Sequence, residues 1–514
     1  MYAIAPENYK QVNNMSDEVN KPKLPSMTDA LIPILTLIVL LAASVMLFGD
    51  DSSYGANQIA LLICAGVALI IGVKNGHKWK DLEQAIIKGI SVSLGAILIL
   101  LVVGSLIGTW LLSGTVPTLI YYGLQLIDPA WFYPATCILC ALVAMSIGSS
   151  WTTAATVGVA LMGVGEGMGL SPAVTAGAVI SGAYFGDKLS PLSETTNLSP
   201  AVAGTDLFTH IHHMLWTTVP SFVIAVIIFT VIGLTNDVSG QADKIAQYSD
   251  ILAQKFNIGF MMLIPLFVLL AMAIKKVPAF PAVFIGALLG GVWAVIFQQD
   301  LIATLNGDAN KAVDQLALVW TTLHAGVEID AGNESLTKLL SGGGMVNMLN
   351  ATWLIFSALT FGSVMEHIGA LRRIVASILS YAKSTGSMIT STILTAFGTN
   401  LITADQYISI VMPGRMYKQE YESRGLHNVN LSRALEDGGT ITSPLIPWNT
   451  CGAYMAGVLS ISTGQYFIYC FFNLINPVLA VIYAYLGIKV LKLQPPELEK
   501  KSDDKTVNNN QSYA

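Results

Sequence analysis

Charge is scarce in this chain: Asp, Glu, Lys and Arg make up 11% of its 514 residues, against about 25% in an ordinary soluble domain. So little charge cannot solvate the surface of a protein of this length. Lipid must cover much of it, and the mean hydropathy of +0.62 agrees. Basic patches are missing too, beyond short Lys/Arg groups at the ends of apolar runs, which argues against nucleic acid as a partner. Cysteine is sparse, with Cys64, Cys137, Cys140, Cys451 and Cys470 all in apolar stretches. The Cys137/Cys140 pair has no second pair or nearby His to make a metal or redox site, and reads as small apolar packing residues on one helix face. HExxH and GxSxG are absent, which removes the commonest intramembrane hydrolase chemistries. No cleavable leader is evident.

What is abundant is apolar sequence, 53% of the chain. Runs long enough to cross a bilayer lie at about 30–49, 57–73, 90–112, 131–149, 216–235, 258–274, 279–298, 346–365 and 466–490. Shorter or interrupted runs at 114–127, 152–165, 172–185, 368–382, 387–398, 405–414 and 449–461 suit half-helices, re-entrant hairpins or tilted spans. The expected fold is an all-α polytopic membrane protein of roughly eleven to thirteen transmembrane segments. The expected organisation is a disordered tail over 1–29, a first transmembrane region over 30–235, connecting spans and a loop over 236–345, a second transmembrane region over 346–490 and a tail over 491–514.

Lys/Arg bias sets the orientation. Lys74, Lys78, Lys80 and Lys88 follow the second run, Lys275/Lys276 and Arg372/Arg373 mark other turns, and Lys489 and Lys492 begin the C-terminal tail. Both termini are therefore expected in the cytoplasm, and the acid-rich 299–345 stretch outside.

Two halves of the chain echo each other. GSSWTTA at 148–154 is answered by GTNLITA at 398–404, LSPA at 170–173 by LSRA at 431–434, and SPLSETTN at 190–197 by SPLIPWNT at 443–450. The charge count starts the 90–112 run inside and the 346–365 run outside, so the repeats (the first over about 90–235) are expected to be inverted in the membrane. Inverted repeats with broken helices are a transporter plan in which each half can take the other's conformation.

Polar residues at the breaks are the candidates for chemistry. Ser149, Ser150, Thr152 and Thr153 interrupt one apolar run, and Asn400, Thr403 and Asp405 interrupt its counterpart. Asp187, Glu194, Thr195, Thr196 and Asn197 lie in GDKLSPLSETTN. Asp437, Thr442, Ser443, Asn449 and Thr450 lie in EDGGTITSPLIPWNT, beside Glu436. Hydroxyl, amide and carboxylate oxygens are hard ligands suited to Na⁺, and an intramembrane acid can hold either H⁺ or Na⁺. Asp187, Glu194, Asp405 and Asp437 are the expected acids and the rest neutral ligands, Lys188 being a structural counter-charge. Arg415, Arg424 and Arg433, the available anchors for an organic acid, read as loop residues. His210, His212 and His213 precede the 216–235 run and read as an interfacial segment, with pH sensing or metal binding as the sharper alternatives.

The run GDKLSPLSETTNLSPAVAGTDLFTHIHHM at 186–214, with SIGSSWTTAATVGVALMGVGEGMGLSP before it, resembles the NhaC family of bacterial Na⁺/H⁺ antiporters. The resemblance covers roughly residues 30–490. It implies Na⁺ extrusion in exchange for H⁺ entry at the bacterial cytoplasmic membrane, with no cofactor beyond the transported ions. It also implies a homodimer with a scaffold and a moving transport unit. The family includes malate/lactate antiporters, so organic-acid exchange coupled to Na⁺ and H⁺ is the nearest alternative. A channel, which would pass ions without strict exchange, is a further one.

Overall fold

The computed structural model describes residues 22–49, 52, 55–236, 241–306 and 312–493. The tails expected at 1–21 and 494–514 lie outside the described residues. Every element named among the described residues is helical, with two isolated β-bridges besides.

The chain opens with α1 (Met27–Phe48), α2 (Ala56–Lys74) and α3 (Trp79–Leu112). Ser26 caps α1 by accepting from the Asp29 main chain at 3.1 Å, so the first helix begins inside the stretch read as a tail. A short α4 (Thr115–Leu126) leads to hairpin 1. Its arms are α5 (Phe132–Ile147) and an interrupted return made of α6 (Ser150–Thr153), a π turn (Ala154–Gly158) and α7 (Val159–Gly167). Then α8 (Pro172–Leu189) and α9 (Glu194–Ala203) form a broken crossing, and α10 (Leu207–Thr235) completes the half.

The connecting region holds α11 (Gln241–Lys255), α12 (Ile264–Ile274), α13 (Ala279–Phe297), α14 (Gln299–Asn306), α15 (Ala312–Ala325) and α16 (Glu334–Leu339). The expected 258–274 span is one arm of a bent pair, turned by 87° from residues 245–255. The second half runs α17 (Leu349–His367), α18 (Ala370–Tyr381), α19 (Thr385–Thr403) and α20 (Gln406–Ser423), the last two being hairpin 2. A second broken crossing follows: α21 (Asn428–Leu435), a π turn (Glu436–Thr440) and α22 (Thr450–Leu459). It ends in α23 (Thr463–Tyr466) and α24 (Phe471–Leu486).

Seven described helices are long and apolar enough to cross a membrane singly, and up to nine if each bent pair is one span. Hairpins and broken crossings supply the remaining segments. The apolar runs at 114–127, 368–382 and 449–461 fall on short helices and 152–165 on an interrupted one, whereas 172–185 and 387–398 fall on helices of 18 and 19 residues and 405–414 extends to Ser423.

The two halves align at a single register. A shift of 256 residues carries the end of α5, Ile147, to the end of α19, Thr403, and the end of α7, Gly167, to the end of α20, Ser423. It carries Pro172 at the start of α8 to Asn428 at the start of α21, and both ends of α9 to both ends of α22. Left-handed residues coincide as well: Gly148 (φ 78) with Ala404 (φ 58), Gly169 (φ 69) with Gly425 (φ 67), and Gly204 (φ 80) with Ser460 (φ 55). The letter echoes, which lie 250, 261 and 253 residues apart, therefore pair positions that are not equivalent.

The halves are opposed. Gly233, near the end of α10, packs on Ala130 at the base of hairpin 1, whereas Gly204, just before α10, lies against Lys418 on the far arm of hairpin 2. One 29-residue helix, with Pro220 inside it, thus separates the two hairpin bases. The face holding the base of hairpin 2 also holds the Leu426–Lys492 bridge. Lys74, Lys78, Arg372, Arg373, Lys418 and Lys489 lie at helix ends toward this basic face, where His77 meets His367 edge to face at 5.2 Å. Glu328, Asp330 and Glu334 cluster around Lys338 in the acid-rich stretch, which carries helices rather than open loop.

Close packing holds the first half together. Side chains at Gly182 and Gly186 of α8 would collide with the Cys137 and Ala141 carbonyls of α5. Small residues let these backbones touch, which substitutes for a hydrophobic drive that lipid does not supply. Cys137 and Cys140 are buried and free at this contact, as the packing reading expects.

Candidate functional site

Four helices begin around one cavity of about 790 Å³. Each has a polar N-cap. Ser149 accepts from the Thr152 main chain at 3.2 Å, Ser193 from Thr196 at 3.4 Å, Asp405 from Ile408 at 2.9 Å, and Asn449 from Cys451 at 3.0 Å. The first residues after these caps, Ser150, Glu194, Gln406 and Thr450, all line the cavity. Broken helices produce this convergence, because each break exposes a fresh N-terminus carrying about half a positive charge. Irregular backbone at such depth is tolerated where it lines a cavity or is buried in protein.

Asp187, on the last turn of α8, faces this cavity and is 7% exposed. Its Oδ2 accepts from the Ser150 main-chain N–H at 3.1 Å and from the Ser150 hydroxyl at 2.7 Å. Thr196 holds the end of α8 by donating to the carbonyls of Asp187 at 3.2 Å and Lys188 at 3.1 Å. Under the 256-residue shift Ser150 becomes Gln406 and Asp187 becomes Ser443, and that pair bonds as well: the Ser443 hydroxyl donates to Gln406 Oε1 at 3.1 Å. Asp405 takes the place of Ser149. One acid therefore stands on the crossing of the first repeat and one on the hairpin tip of the second.

Asp405 is 2% exposed, and its Oδ2 accepts from Ser93 of α3 at 3.0 Å. Glu194 is exposed to the cavity and accepts from the Tyr407 hydroxyl. Trp151 at the tip of hairpin 1 stacks on Tyr454 of α22 with centroids 3.9 Å apart. The cavity reaches the exposed Lys276 and the Val277–Pro278 turn, so it opens toward the basic face.

Of the residues singled out from sequence, Asp187, Glu194, Asp405, Ser149, Ser150, Thr152, Thr195, Asn197 and Thr450 line this cavity. The others lie behind it. Thr153 donates to the Ser149 carbonyl at 2.9 Å, and Thr403 to the Thr399 carbonyl at 2.9 Å. Asn400 donates to the Gly439 carbonyl and to Thr442. Asn449 donates to Asn400 Oδ1 at 3.1 Å. The Asn400 bond to Gly439 satisfies a carbonyl of the broken crossing in the second repeat. Ser93, Gln406, Tyr407 and Cys451 also line the cavity and were not singled out. The 256-residue register would have found Gln406 from Ser150; Ser93, a lone hydroxyl on a long apolar helix, gives no signal.

Asp437 stands apart. It is fully buried and paired with Lys188, with further bonds from Asn476 Nδ2 at 2.7 Å and from Thr217 at 3.3 Å. Lys188 is thus the counter-charge of Asp437. Arg433 is helical and 1% exposed, and its Nη1 donates to the Lys489 carbonyl at 3.3 Å; neither it nor Arg415, which lies within α20, is a loop residue. The histidines lie on the first turns of α10, at the end toward the basic face: His210 is buried and bonds Ser432 at 2.8 Å, His213 is buried and bonds the Lys489 carbonyl at 2.8 Å, and His212 is exposed.

The profile of the Na⁺/H⁺ antiporter family matches residues 23–184 and 182–488. The Na⁺/H⁺ antiporter NhaC of Alkalihalophilus pseudofirmus is 38% identical over 437 residues, which is 85% of this chain and 92% of that protein. The malate-2H⁺/Na⁺-lactate antiporter of Bacillus subtilis is 38% identical over 466 residues, 90% of this chain and 96% of its own. The arginine/ornithine antiporter ArcD of Halobacterium salinarum is 34% identical over 496 residues, covering 95% and 98%. With matches across both halves and inverted repeats closing around a carboxylate-lined cavity, this chain belongs to the Na⁺/H⁺ antiporter family, NhaC antiporters being among its relatives.

Proposed function

We propose that this protein exchanges Na⁺ for H⁺ across the bacterial cytoplasmic membrane by alternating access, with Asp187 as the acid that carries one ion or the other. The observation that carries the reading is the charge balance of the cavity. Three carboxylates, Asp187, Glu194 and Asp405, line one cavity, where helix N-termini favour negative charge and helix C-termini at the same breaks oppose it. The ionised carboxylates leave the cavity negative, which a bound Na⁺ or H⁺ offsets. Lys188, next to Asp187, is committed to Asp437, and Lys276 stands in solvent at the mouth.

When Asp187 is ionised, its oxygens and the neighbouring hydroxyls of Ser150, Ser149 and Thr195 offer hard ligands to Na⁺. When it is protonated, that charge is gone and so is the attraction. Competition for one carboxylate makes binding of the two ions mutually exclusive, and the exchange is obligatory when the empty, ionised site does not cross. The opposed repeats supply the conformational half of the cycle, since each can adopt the arrangement of the other. In the arrangement described, the cavity opens to the basic face, which Lys/Arg bias assigns to the cytoplasm together with both chain ends.

The test is Na⁺-driven proton flux in proteoliposomes. Wild-type protein should show it, and Asp187→Asn, which cannot carry a proton, should not; intact flux in that variant would sink the assignment. The cavity volume favours one second reading, co-exchange of a small organic acid, because about 790 Å³ far exceeds a single ion. Malate and lactate belong in the same assay: a flux that requires either would favour it. A homodimer rests on the family resemblance alone, and mass measurement in detergent would check it.

A further inference from the structure

The helices that lead into the two hairpins occupy equivalent places but differ in charge. Both α4 and α18 are 12 residues long, and each follows a left-handed glycine, Gly114 (φ 78) and Gly369 (φ 78). No charged residue occurs in α4, which packs against α7 and α11. Counted from the two glycines, Arg372 and Arg373 of α18 stand where α4 has Pro117 and Thr118. Pro117 and Thr118 are buried, whereas both arginines are exposed.

The setting of α18 is the basic face, at the rim of the protein. Gly369 lies against Leu24 and Pro25, and Ser377 against Met27 at the start of α1. Further along, α1 shows Leu35, Ile38 and Val39 on its surface, an apolar side that only lipid can cover. Leu371 and Val375 of α18 are buried, and Ile374 and Ile378 are half-buried at its edge. Its open side carries the two arginines, with Lys383 exposed just past its end. No acid occurs over 368–404. Glu366, the acid before the arginines, has Lys88 and His367 among its charged neighbours. Neither arginine takes part in an ion pair among the described residues.

We propose that the Arg372–Arg373 edge of α18 binds the headgroup of an anionic phospholipid in the leaflet on the basic face. Guanidinium forks match phosphate oxygens, and a basic segment beside a membrane surface is drawn to anionic lipid. The half-buried Ile374 and Ile378 lie where the acyl chains begin. A lipid held there would tie the helix leading into hairpin 2 to the membrane surface; α4, neutral and covered, offers no such hold to hairpin 1. The site lies outside the ion cavity and goes beyond Na⁺/H⁺ exchange.

The full chain in neutral detergent, titrated with phosphatidylglycerol or with phosphatidylcholine of the same acyl chains, tests this, with bound lipid counted by native mass spectrometry. Wild type should half-saturate with phosphatidylglycerol at a concentration roughly tenfold lower. Arg372→Gln/Arg373→Gln, at exposed positions, should keep the wild-type melting temperature and lose most of that preference. Lys275→Gln/Lys492→Gln, which removes the same charge from exposed positions on other elements, should keep it. Excess inorganic phosphate should leave the lipid bound. Equal binding of the two lipids, a preference that survives in the arginine variant, or one lost equally in the lysine variant would overturn the proposal. Displacement of the lipid by phosphate would overturn it too, by assigning the arginines to a soluble anion. No transport is measured, so a failure of the exchange reading leaves this result standing.

Discussion

Ser150 gives Asp187 two hydrogen bonds, one from its main chain and one from its side chain, and it does so because the helix break places it as the first residue after a cap. Replacing it with Ala keeps the main-chain donor and removes the hydroxyl. A hydrogen bond to a charged group is worth about 1.5–3 kcal/mol, so the Ser150→Ala variant should bind Na⁺ roughly ten- to a hundredfold more weakly, with turnover at saturating Na⁺ largely retained. Proton flux across a Na⁺ titration in proteoliposomes reads both quantities.

The Lys188–Asp437 pair is wholly enclosed. Lys188→Met or Asp437→Asn alone leaves one buried charge without its partner, a change that typically costs about 3–5 kcal/mol. Each single variant should lower the melting temperature in detergent markedly, and the Lys188→Met/Asp437→Leu double variant should recover much of the loss. Equal damage in the double variant would mean that the pair does more than balance charge.

Ser93 on α3 holds Asp405 at the tip of hairpin 2. The 256-residue register places Leu349 at the position matching Ser93, so no equivalent hydroxyl awaits the tip of hairpin 1. The bond therefore favours the arrangement open to the basic face. Ser93→Ala should shift the population away from it, slowing alkylation of Cys451, which lines the cavity, from that face. Unchanged labelling would remove Ser93 from the conformational balance.

Gly186 of α8 has no room for a side chain against the Ala141 carbonyl. Gly186→Ala should destabilise the protein by about 1–3 kcal/mol, the usual range for overpacking. Because Asp187 is the next residue, transport should fall beyond what the lost stability explains. Thermal denaturation and flux measured on the same preparation separate the two effects.

Much of this architecture is readable in the sequence. Apolar length marks the spans, and polar residues in apolar runs mark the breaks at 148–150 and 404–406. The repeat was visible too, but its register was not. Letters recur among small residues for packing reasons, whereas Ser149 and Asp405 are equivalent only in capping a helix, a task that several residue types perform. The partnership of Lys188 with Asp437 joins chain positions far apart, and no local pattern reports it. Arg433 reads as loop because the π turn and glycines after it break the helical signal. Of the four acids singled out, the three that line the cavity lie beside helix N-termini, and the one that does not lies inside a helical run.

The common register has a mechanical consequence. An α-helix turns by about 100° per residue, so a single inserted residue in one arm of a hairpin would rotate everything beyond it and rise by about 1.5 Å. Two halves matched in length from hairpin base to crossing can trade shapes without a surplus of chain on either side. A one-residue deletion in α5 would leave the first hairpin too short for the posture of the second, and the rocking of one half against the other would lose its mirror.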